Sequence, residues 1–351
     1  MIAPSAAETA FRDAAAMRIL LKDGPYGTAI QALGFQEQDY RGDLTVNHDQ
    51  KGNNDLLNLT QPDAIAGIGR AYIQAGADLL ATNTFNANRI SQADYGLESK
   101  VVDLNRAAAA ILRAEIDAAH ARDGKKRFLA GSLGPTNKTL SLSPKVEDPG
   151  YREVDFDGVK SVYREQIDAL LDGGVDFILI ETVFDTLNAK AAAFAAMEVE
   201  EERGQRVPVM LSMTLTDLAG RNLSGQTVEA FWVSLEHVRP LTIGLNCSFG
   251  ATELRPHVQV LAAQADALLM VYPNAGLPNA FGDYDELPET TGSLIQQWAE
   301  AGFINIVGGC CGTTPAHIAA MARAVQGLPP RQIPHPSPAL RLSGLEAAVF
   351  A

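Results

Sequence analysis

Hydrophobic residues along this chain fall into eight short runs, each of which ends in small or polar residues. Such runs are typical of strands that are buried on both faces of a parallel sheet. The predicted strands cover residues 18–23 (RILLKD), 77–83 (ADLLATN), 127–132 (RFLAGS), 175–181 (VDFILIE), 207–213 (VPVMLSM), 241–246 (LTIGLN), 267–272 (ALLMVY) and 303–308 (FINIVG).

Helix-like stretches separate these runs. They cover 58–75, 97–121, 156–171, 186–203, 227–238, 251–264 and 287–301, and a last helix opens at Thr314 and Pro315. Pro62 near the start of the first stretch and Gly76 after it suit the two ends of a helix. Eight strands, each followed by a helix, predict an α/β protein with one (β/α)8 barrel, the TIM barrel, over residues 1–326. The alternative is an open doubly wound sheet, but no G-x-G-x-x-G fingerprint follows the first strand.

Two segments lack this alternation. Residues 34–55 are polar and not periodic, which predicts a long loop after the first strand on the active-site face. Residues 327–351 begin with GLPPRQIPHPSPALRLSGLE, with five prolines between Pro329 and Pro338. Proline removes amide donors and favours an extended path, so this segment is predicted to be a Pro-rich C-terminal linker that leaves the barrel.

Composition narrows the class of protein. The 351 residues are 46% hydrophobic and 20% charged, as in a soluble globular protein. The net charge of −14 is a poor match for a nucleic-acid backbone or an anionic membrane surface. Residues 1–16 lack the apolar core of a signal peptide, and no run approaches the length of a membrane span. We therefore expect a cytoplasmic protein that binds neither nucleic acid nor membrane.

The three cysteines of the chain follow two of the predicted strands. Cys247 comes directly after the sixth run (GLNC), and Cys310 and Cys311 follow the eighth (NIVGGCC). Functional residues of a parallel barrel lie at the carboxyl ends of its strands, so all three thiols should share one face. Three converging thiolates would make a zinc site that keeps its fourth position open. Neighbouring glycines would let the backbone turn sharply enough for adjacent thiols to meet one metal.

Two other interpretations of the cysteines stay open. Buried core cysteines are common, and a disulfide between Cys310 and Cys311 would leave Cys247 unexplained in a reducing compartment. If zinc is bound, three thiolates leave it a net charge of −1, which is poor for polarising water but suits a soft ligand. The chemistry thus favours activation of a substrate thiol over hydrolysis.

Polar residues end other predicted strands. Asp23 and Glu181 could bind an ammonium group, or each could cap the helix that follows. Asn83, Ser132 and Asn274 could line the same pocket, or could satisfy loop amides.

Several segments resemble one known family. DGPYGT, KGNNDLLNLTQP, AGADLLATNTFN, GSLGPTNKTLSLSP, ILIETVFDTLNAKAA, GLNCSFGATELRPHV, YPNAGLPNAFGDYDE and NIVGGCCGTTPAHIAAM resemble the homocysteine-binding module of cobalamin-dependent methionine synthase. The resemblance runs from about Arg18 to Glu346. GLNC and GGCCGT are shared by homocysteine S-methyltransferases in general, whereas KGNNDLL, GPTNKT, NAGLPNAFG and RLSGLE are more specific to the cobalamin branch.

The resemblance implies a (β/α)8 barrel with Zn²⁺ on Cys247, Cys310 and Cys311. It implies that homocysteine binds zinc through its thiolate, beside Gly24, with its amino group near Asp23 and Glu181. Asn274 matches a position that can take zinc's fourth site when substrate is absent. The implied reaction of methionine biosynthesis transfers the methyl group of methylcobalamin to homocysteine, giving methionine and cob(I)alamin.

The chain departs from the family pattern in two ways. Pro25 and Tyr26 stand where Gly or Ala and then Met are usual, which affects the pocket near the substrate's backbone. Full-length methionine synthases continue into folate-binding, cobalamin-binding and activation modules, so a chain of this length is expected to be a split subunit or a fragment. Methylcobalamin, and folate, would then be bound by a separate subunit. Two alternatives are a methyltransferase that uses S-methylmethionine or betaine and a non-catalytic scaffold with structural zinc.

Overall fold

The computed structural model describes residues 2–336 and 338–350. Eight parallel strands surround a central core, which confirms the predicted TIM barrel. They are β1 (Leu20–Leu21), β2 (Leu79–Ala81), β3 (Phe128–Leu133), β4 (Phe177–Val183), β5 (Val209–Met213), β6 (Thr242–Asn246), β7 (Leu268–Tyr272) and β8 (Ile306–Val307). Hydrogen-bonded ladders join them in the order β1-β8-β7-β6-β5-β4-β3-β2, and a parallel bridge between Lys22 and Leu79 connects β1 to β2.

Helices surround the strands and supply short caps between them. They are α1 (Ala6–Met17), α2 (Tyr26–Gln31), α3 (Glu37–Arg41), α4 (Leu57–Thr60), α5 (Pro62–Ala75), α6 (Arg89–Gln92), α7 (Val101–Asp123), α8 (Phe156–Asp172), α9 (Thr186–Arg203), α10 (Val228–Leu235), α11 (Ala251–Gln264), α12 (Pro288–Glu300) and α13 (Pro315–Val325). Short 3₁₀ turns cover Asn54–Leu56, Ala93–Tyr95, Glu98–Lys100 and Glu236–Val238.

Several predicted helix ends are confirmed. Pro62 is the first residue of α5, and Gly76 ends that helix in the left-handed conformation, where a residue with a Cβ would be strained. Thr314 caps α13 and Pro315 is its first residue. The predicted helix over 58–75 is divided into α4 and α5, because Pro62 lacks the amide that a continuous helix would need.

The amino-terminal end of the barrel is closed by α1. Its N-cap, Ser5, accepts a hydrogen bond from the Glu8 amide at 3.0 Å. The ring of Phe11 lies edge-on to the rings of Phe128 and Phe177, with both centroid distances at 5.1 Å. Phe11 is fully buried among the first residues of the strands. The helix thus seals the end of the barrel opposite to the thiols.

The C-terminal segment returns to the barrel. The buried Arg331 donates to the backbone oxygens of Ala262 and Ala267, at 2.9 Å each, and so fixes the segment beside β7. Residues 340–350, predicted as linker, instead form an antiparallel hairpin of β9 (Leu340–Ser343) and β10 (Ala347–Phe350). The last proline is Pro338, so the following amides are free to pair. Ser337 and Ala351 of the predicted linker lie outside the described residues, and the boundary at 326/327 stays a prediction.

The hairpin packs on α10. The Ser343 hydroxyl donates to the Ala230 oxygen at 2.7 Å, and Arg341 forms an ion pair of 2.6 Å with Glu236. Of the polar segment 34–55, the residues Glu37–Arg41 form α3 and most of the others form loop. Among the described residues, no helix combines the length and the hydropathy needed to cross a membrane.

Candidate functional site

The structure brings the three cysteines together at the carboxyl ends of β6 and β8. Their sulfur atoms all lie within 4.8 Å of one another, and those of Cys247 and Cys311 are 3.7 Å apart. All three are free thiols. The cluster therefore matches the convergence that the sequence predicted, and neither a vicinal disulfide nor scattered core cysteines describes it.

Unusual backbone geometry makes this convergence feasible. Cys247 and Ser248 have φ angles of 60° and 63°, in the left-handed region that non-glycine residues seldom adopt. On the other side, the Cys310 amide donates to the Pro273 oxygen at 2.8 Å, and the Ala275 amide donates to the Cys311 oxygen at 2.9 Å. These bonds hold the cysteine pair against the loop that follows β7.

A glycine next to the cysteine pair is required by close packing. Gly312 has φ 78°, and a Cβ there would lie 2.2 Å from Cβ of Tyr284. The Tyr284 hydroxyl in turn bonds to Cys311. Burial and the charges of the cysteines raise the pKa of Tyr284 to about 12.

The thiols share negative charge unequally. Hydrogen bonds from Cys247 and Cys310 lower the pKa of Cys311 to about 3. The bonds that Cys310 makes to the other two sulfurs, together with burial, raise its pKa well above the usual value. One thiolate is thus easily formed, while a second and a third need a cation nearby. A cation bound between the three sulfurs would stabilise the charge of all three thiolates.

Glu181 lies on β4, at an irregularity of the sheet. The register between β4 and β5 shifts between Ile180 and Val183, and Thr182 has φ 56°. Such irregularities re-aim side chains. The Glu181 carboxylate accepts hydrogen bonds from the hydroxyls of Ser132 and Tyr272, the latter at 3.0 Å. Ser132 thus supports the predicted site residue Glu181 from β3.

Asp23 follows β1 and is completely buried. Its Oδ1 forms an ion pair of 2.7 Å with Lys22 Nζ, and its Oδ2 accepts from the Ala81 amide at 2.9 Å. Burial raises the pKa of Asp23, and Lys22 opposes that rise. Its backbone oxygen accepts from the Gly309 amide, which joins β1 to the cysteine loop.

Gly24 and Asn274 complete the set of predicted site residues. A Cβ on Gly24 would lie 2.7 Å from the ring of Tyr72, whose hydroxyl donates to the Pro25 oxygen at 3.0 Å. Tyr26 is buried beside Tyr72, so the unusual Pro25 and Tyr26 pack against α5.

Asn274 is buried, and within the described chain its Oδ1 has no hydrogen-bond partner, so it is free to bind a ligand. Asn83 instead bonds the backbone of Asn54, as a loop residue.

Sequence reasoning missed three residues of this site. They are Lys22, Tyr272 and Asn246, whose amide bonds Thr182 at 2.8 Å and reaches Cys310 Sγ at 3.9 Å. A lysine inside an apolar strand pattern was the available signal, because lysine is almost never buried unless it is paired.

The fold and site together define a TIM-barrel protein with a three-thiol cluster at the carboxyl ends of its strands. The chain belongs to the homocysteine S-methyltransferase family, whose model matches residues 20–325. The protein is therefore a methyltransferase of the family whose substrate is homocysteine, as the resemblance implied.

Solved structures support the fold. The metallated form of the homocysteine methyltransferase MmuM from Escherichia coli is similar at a TM-score of 0.71, with 24% identity over 90% of this chain and 99% of that chain. Its oxidized form is similar at 0.68, with 23% identity over 87% and 95% of the two chains. At identities below 25%, these similarities show that the fold is shared.

Proposed function

We propose that this chain transfers a methyl group from methylcobalamin, carried by another polypeptide or domain, to the thiolate of homocysteine, giving methionine. The observation that carries the proposal is the cluster of three free thiols at the carboxyl end of the barrel. Homocysteine, the substrate of the family, is itself a thiol, and a thiolate-rich metal site suits a soft sulfur ligand.

Zinc fits this donor set. Two sulfurs that each lie about 2.3 Å from a tetrahedral zinc ion are roughly 3.8 Å apart, close to the separation of the Cys247 and Cys311 sulfurs. That separation is 3.7 Å. Cys247, Cys310 and Cys311 would hold the ion, and Asn274 could supply the fourth ligand in the absence of substrate. When bound, zinc lowers the pKa of a substrate thiol so that it is a nucleophilic thiolate at neutral pH.

The chain's own residues would then bind and orient the substrate. Glu181, held by Ser132 and Tyr272, would supply negative charge for the amino group of homocysteine, and Asp23 adds to the negative charge of the same pocket. Gly24 lets the backbone of the first loop pack directly against the ring of Tyr72. In the reaction a carbon–sulfur bond forms and the cobalt–carbon bond breaks, with its electron pair remaining on cobalt.

Loop sequences support methylcobalamin as the donor. Three of the segments specific to the cobalamin branch lie in loops that follow β1, β3 and β7, at the same end as the thiols: 51–57, 134–139 and 274–282. These segments favour methylcobalamin, presented by a protein partner, as the donor.

The experiment is methyl transfer with defined donors. Zinc-loaded protein is mixed with homocysteine and free methylcobalamin, and methionine is measured; a parallel reaction contains S-methylmethionine instead. Methionine from methylcobalamin, and its loss in Cys310→Ala, are expected. If methionine forms from S-methylmethionine but not from methylcobalamin, S-methylmethionine is the donor. If zinc content and activity are unchanged in Cys310→Ala, the cysteine cluster is not the zinc site.

A further inference from the structure

A lysine side chain lies inside the barrel at the substrate end. Lys22 follows β1 directly and is 3% exposed. Its ammonium group is 2.7 Å from Asp23 Oδ1 and 4.6 Å from the centre of the Tyr272 ring. Residue 308, which packs beside Lys22, has to be glycine, because a Cβ there would lie 2.7 Å from Cβ of Lys22. The packing therefore holds Lys22 in this position.

The surroundings of Lys22 are strongly negative. Tyr272, on which the ammonium group lies, also donates to Glu181 at 3.0 Å. Burial lowers the pKa of Lys22, but the charges of Asp23 and Glu181 outweigh burial and raise it. Lys22 is thus a fixed cation among the groups to which a substrate ammonium would be attracted.

The two carboxylates differ in what they can still accept. Both oxygens of Asp23 are already bonded, one to Lys22 and the other to the Ala81 amide, and the side chain is fully buried. Glu181 is bonded by two neutral hydroxyls and is 9% exposed. Each carboxylate uses two of its roughly four acceptor positions, so the difference lies in the partners and the exposure. Asp23 is bonded by an ammonium group and closed off, whereas Glu181 is bonded only by hydroxyls and stays partly exposed.

We infer that Lys22 occupies the place at Asp23 that a substrate ammonium would otherwise take, so that Glu181 alone binds the amino group of the substrate. This inference rests on the proposed function, since it concerns the same thiol substrate. Lys22 thereby weakens the discrimination between thiols that carry an amino group and thiols that do not. It is a specificity-determining residue and touches no reacting atom.

Binding of three thiols to the zinc-loaded full chain, measured by calorimetry, tests the inference without any methyl donor. Homocysteine carries both charged groups, 4-mercaptobutanoate lacks the amino group, and 3-mercaptopropylamine lacks the carboxylate. Lys22→Met keeps the unbranched stem of the side chain as far as Cε and removes the ammonium group that is bonded to Asp23. We expect it to lower the Kd of the two amino thiols about tenfold, because Asp23 becomes available, and to change the Kd of 4-mercaptobutanoate much less.

Control variants separate this effect from structural damage. Lys22→Arg and the exposed Lys126→Met should both keep the wild-type ratio of the Kd of 4-mercaptobutanoate to that of homocysteine. Lys22→Gln replaces Lys22→Met if the latter does not fold. If neither neutral variant folds, Glu181→Gln must bring the ratio close to one, and an unchanged ratio would overturn the inference.

Other outcomes also contradict the inference. Equal shifts for all three thiols would assign Lys22 a structural role. Weaker binding of homocysteine and 4-mercaptobutanoate, with 3-mercaptopropylamine unaffected, would make Lys22 an anchor for the carboxylate. If the wild-type protein binds none of the thiols, the proposed function fails and the inference fails with it.

Discussion

Buried carboxylates at the two ends of the barrel have pKa shifts of opposite sign. At the amino-terminal end, Asp78 accepts two hydrogen bonds from Arg18 and one from the Leu21 amide. It also forms an ion pair of 2.8 Å with Lys125. Burial raises the pKa of Asp78, but these partners outweigh it and lower the pKa overall. At the carboxyl end the pKa of Asp23 stays raised although Lys22 is bound to it.

This difference separates stability from function. The amino-terminal end is sealed by α1, with apolar rings in contact and its buried carboxylate compensated from the surface. The carboxyl end concentrates three thiols, two carboxylates and a lysine in positions that no purely structural role requires. Perturbed titratable groups that cluster at one end of a barrel are the usual mark of its active site. Substitutions at the two ends should therefore have separable effects.

The largest effect on function is expected at the cysteine cluster. Cys310→Ala removes one of three metal ligands, so zinc stoichiometry should fall and methionine formation should cease. Zinc analysis and a methyl-transfer assay measure both. The free energy of unfolding in the presence of a chelator should stay close to that of the chelated wild type. Retained activity at wild-type zinc content would contradict the assignment.

The largest effect on stability is expected at the opposite end. Phe11→Ala removes a fully buried ring, and we expect the free energy of unfolding to fall by about 3–5 kcal/mol. Denaturant titration measures this change. Phe194→Ala, where the ring is 47% exposed, is the control and should cost much less. Homocysteine binding at low temperature should survive Phe11→Ala; its loss would show that the two ends are not separable.

A pH-dependent effect is expected at Asp55, in the loop that follows α3. Its carboxylate is buried, and burial raises its pKa to about 7 although the Asn86 amide donates to it. Between about pH 4 and 7 the unfolded chain loses this proton and the folded chain keeps it, so the free energy of unfolding falls as pH rises.

Asp55→Asn removes this titration. The free energy of unfolding of the variant, relative to that of wild type, should increase by up to about 4 kcal/mol as the pH rises from 4 to 7.5. This is the amount that a difference of about three pKa units between the folded and unfolded chain implies. Thermal or denaturant unfolding across that pH range measures the gain. Asp13→Asn, on the exposed side of α1, should show little change. Parallel stability curves for Asp55→Asn and wild type would disprove the role of Asp55.

A smaller effect is expected at Glu181. Glu181→Gln keeps the shape of the side chain but loses its charge, so the Kd of homocysteine should rise about ten- to a hundredfold, as for other charge-assisted hydrogen bonds. Calorimetry measures the Kd, and the zinc content should stay constant. Glu289→Gln, exposed in the first turn of α12, is the matched control. An unchanged Kd in Glu181→Gln would remove Glu181 from the substrate site.

The sequence predicts the barrel well because its strands are buried on both faces. Six of the eight apolar runs contain the observed strand, and the third and fourth runs end one and two residues before β3 and β4 do. Cys247, Cys310 and Cys311 converge as their places at strand ends indicate. The helix α1 was not predicted, since only Phe11, Ala15 and Glu8 of its twelve residues are buried and its apolar face is therefore short. The hairpin at 340–350 was missed because the prolines before it indicated an extended path.

Side-chain pairing inside the barrel could not be predicted. Nothing in the strand pattern shows that Lys22 bends inward to Asp23 instead of reaching solvent, because adjacent strand residues ordinarily face opposite sides. The support of Glu181 by Tyr272 joins residues 91 positions apart. Such contacts depend on barrel register and on the irregularity at Thr182, which apolar periodicity does not record.

X-ray absorption at the zinc edge, with and without homocysteine, observes the ligands of the proposed metal centre. We predict one zinc ion per chain with three sulfur ligands at about 2.3 Å, and a fourth sulfur after homocysteine is added. A zinc ion whose ligands do not change with homocysteine, or a chain whose three thiols bind no zinc, would contradict this prediction.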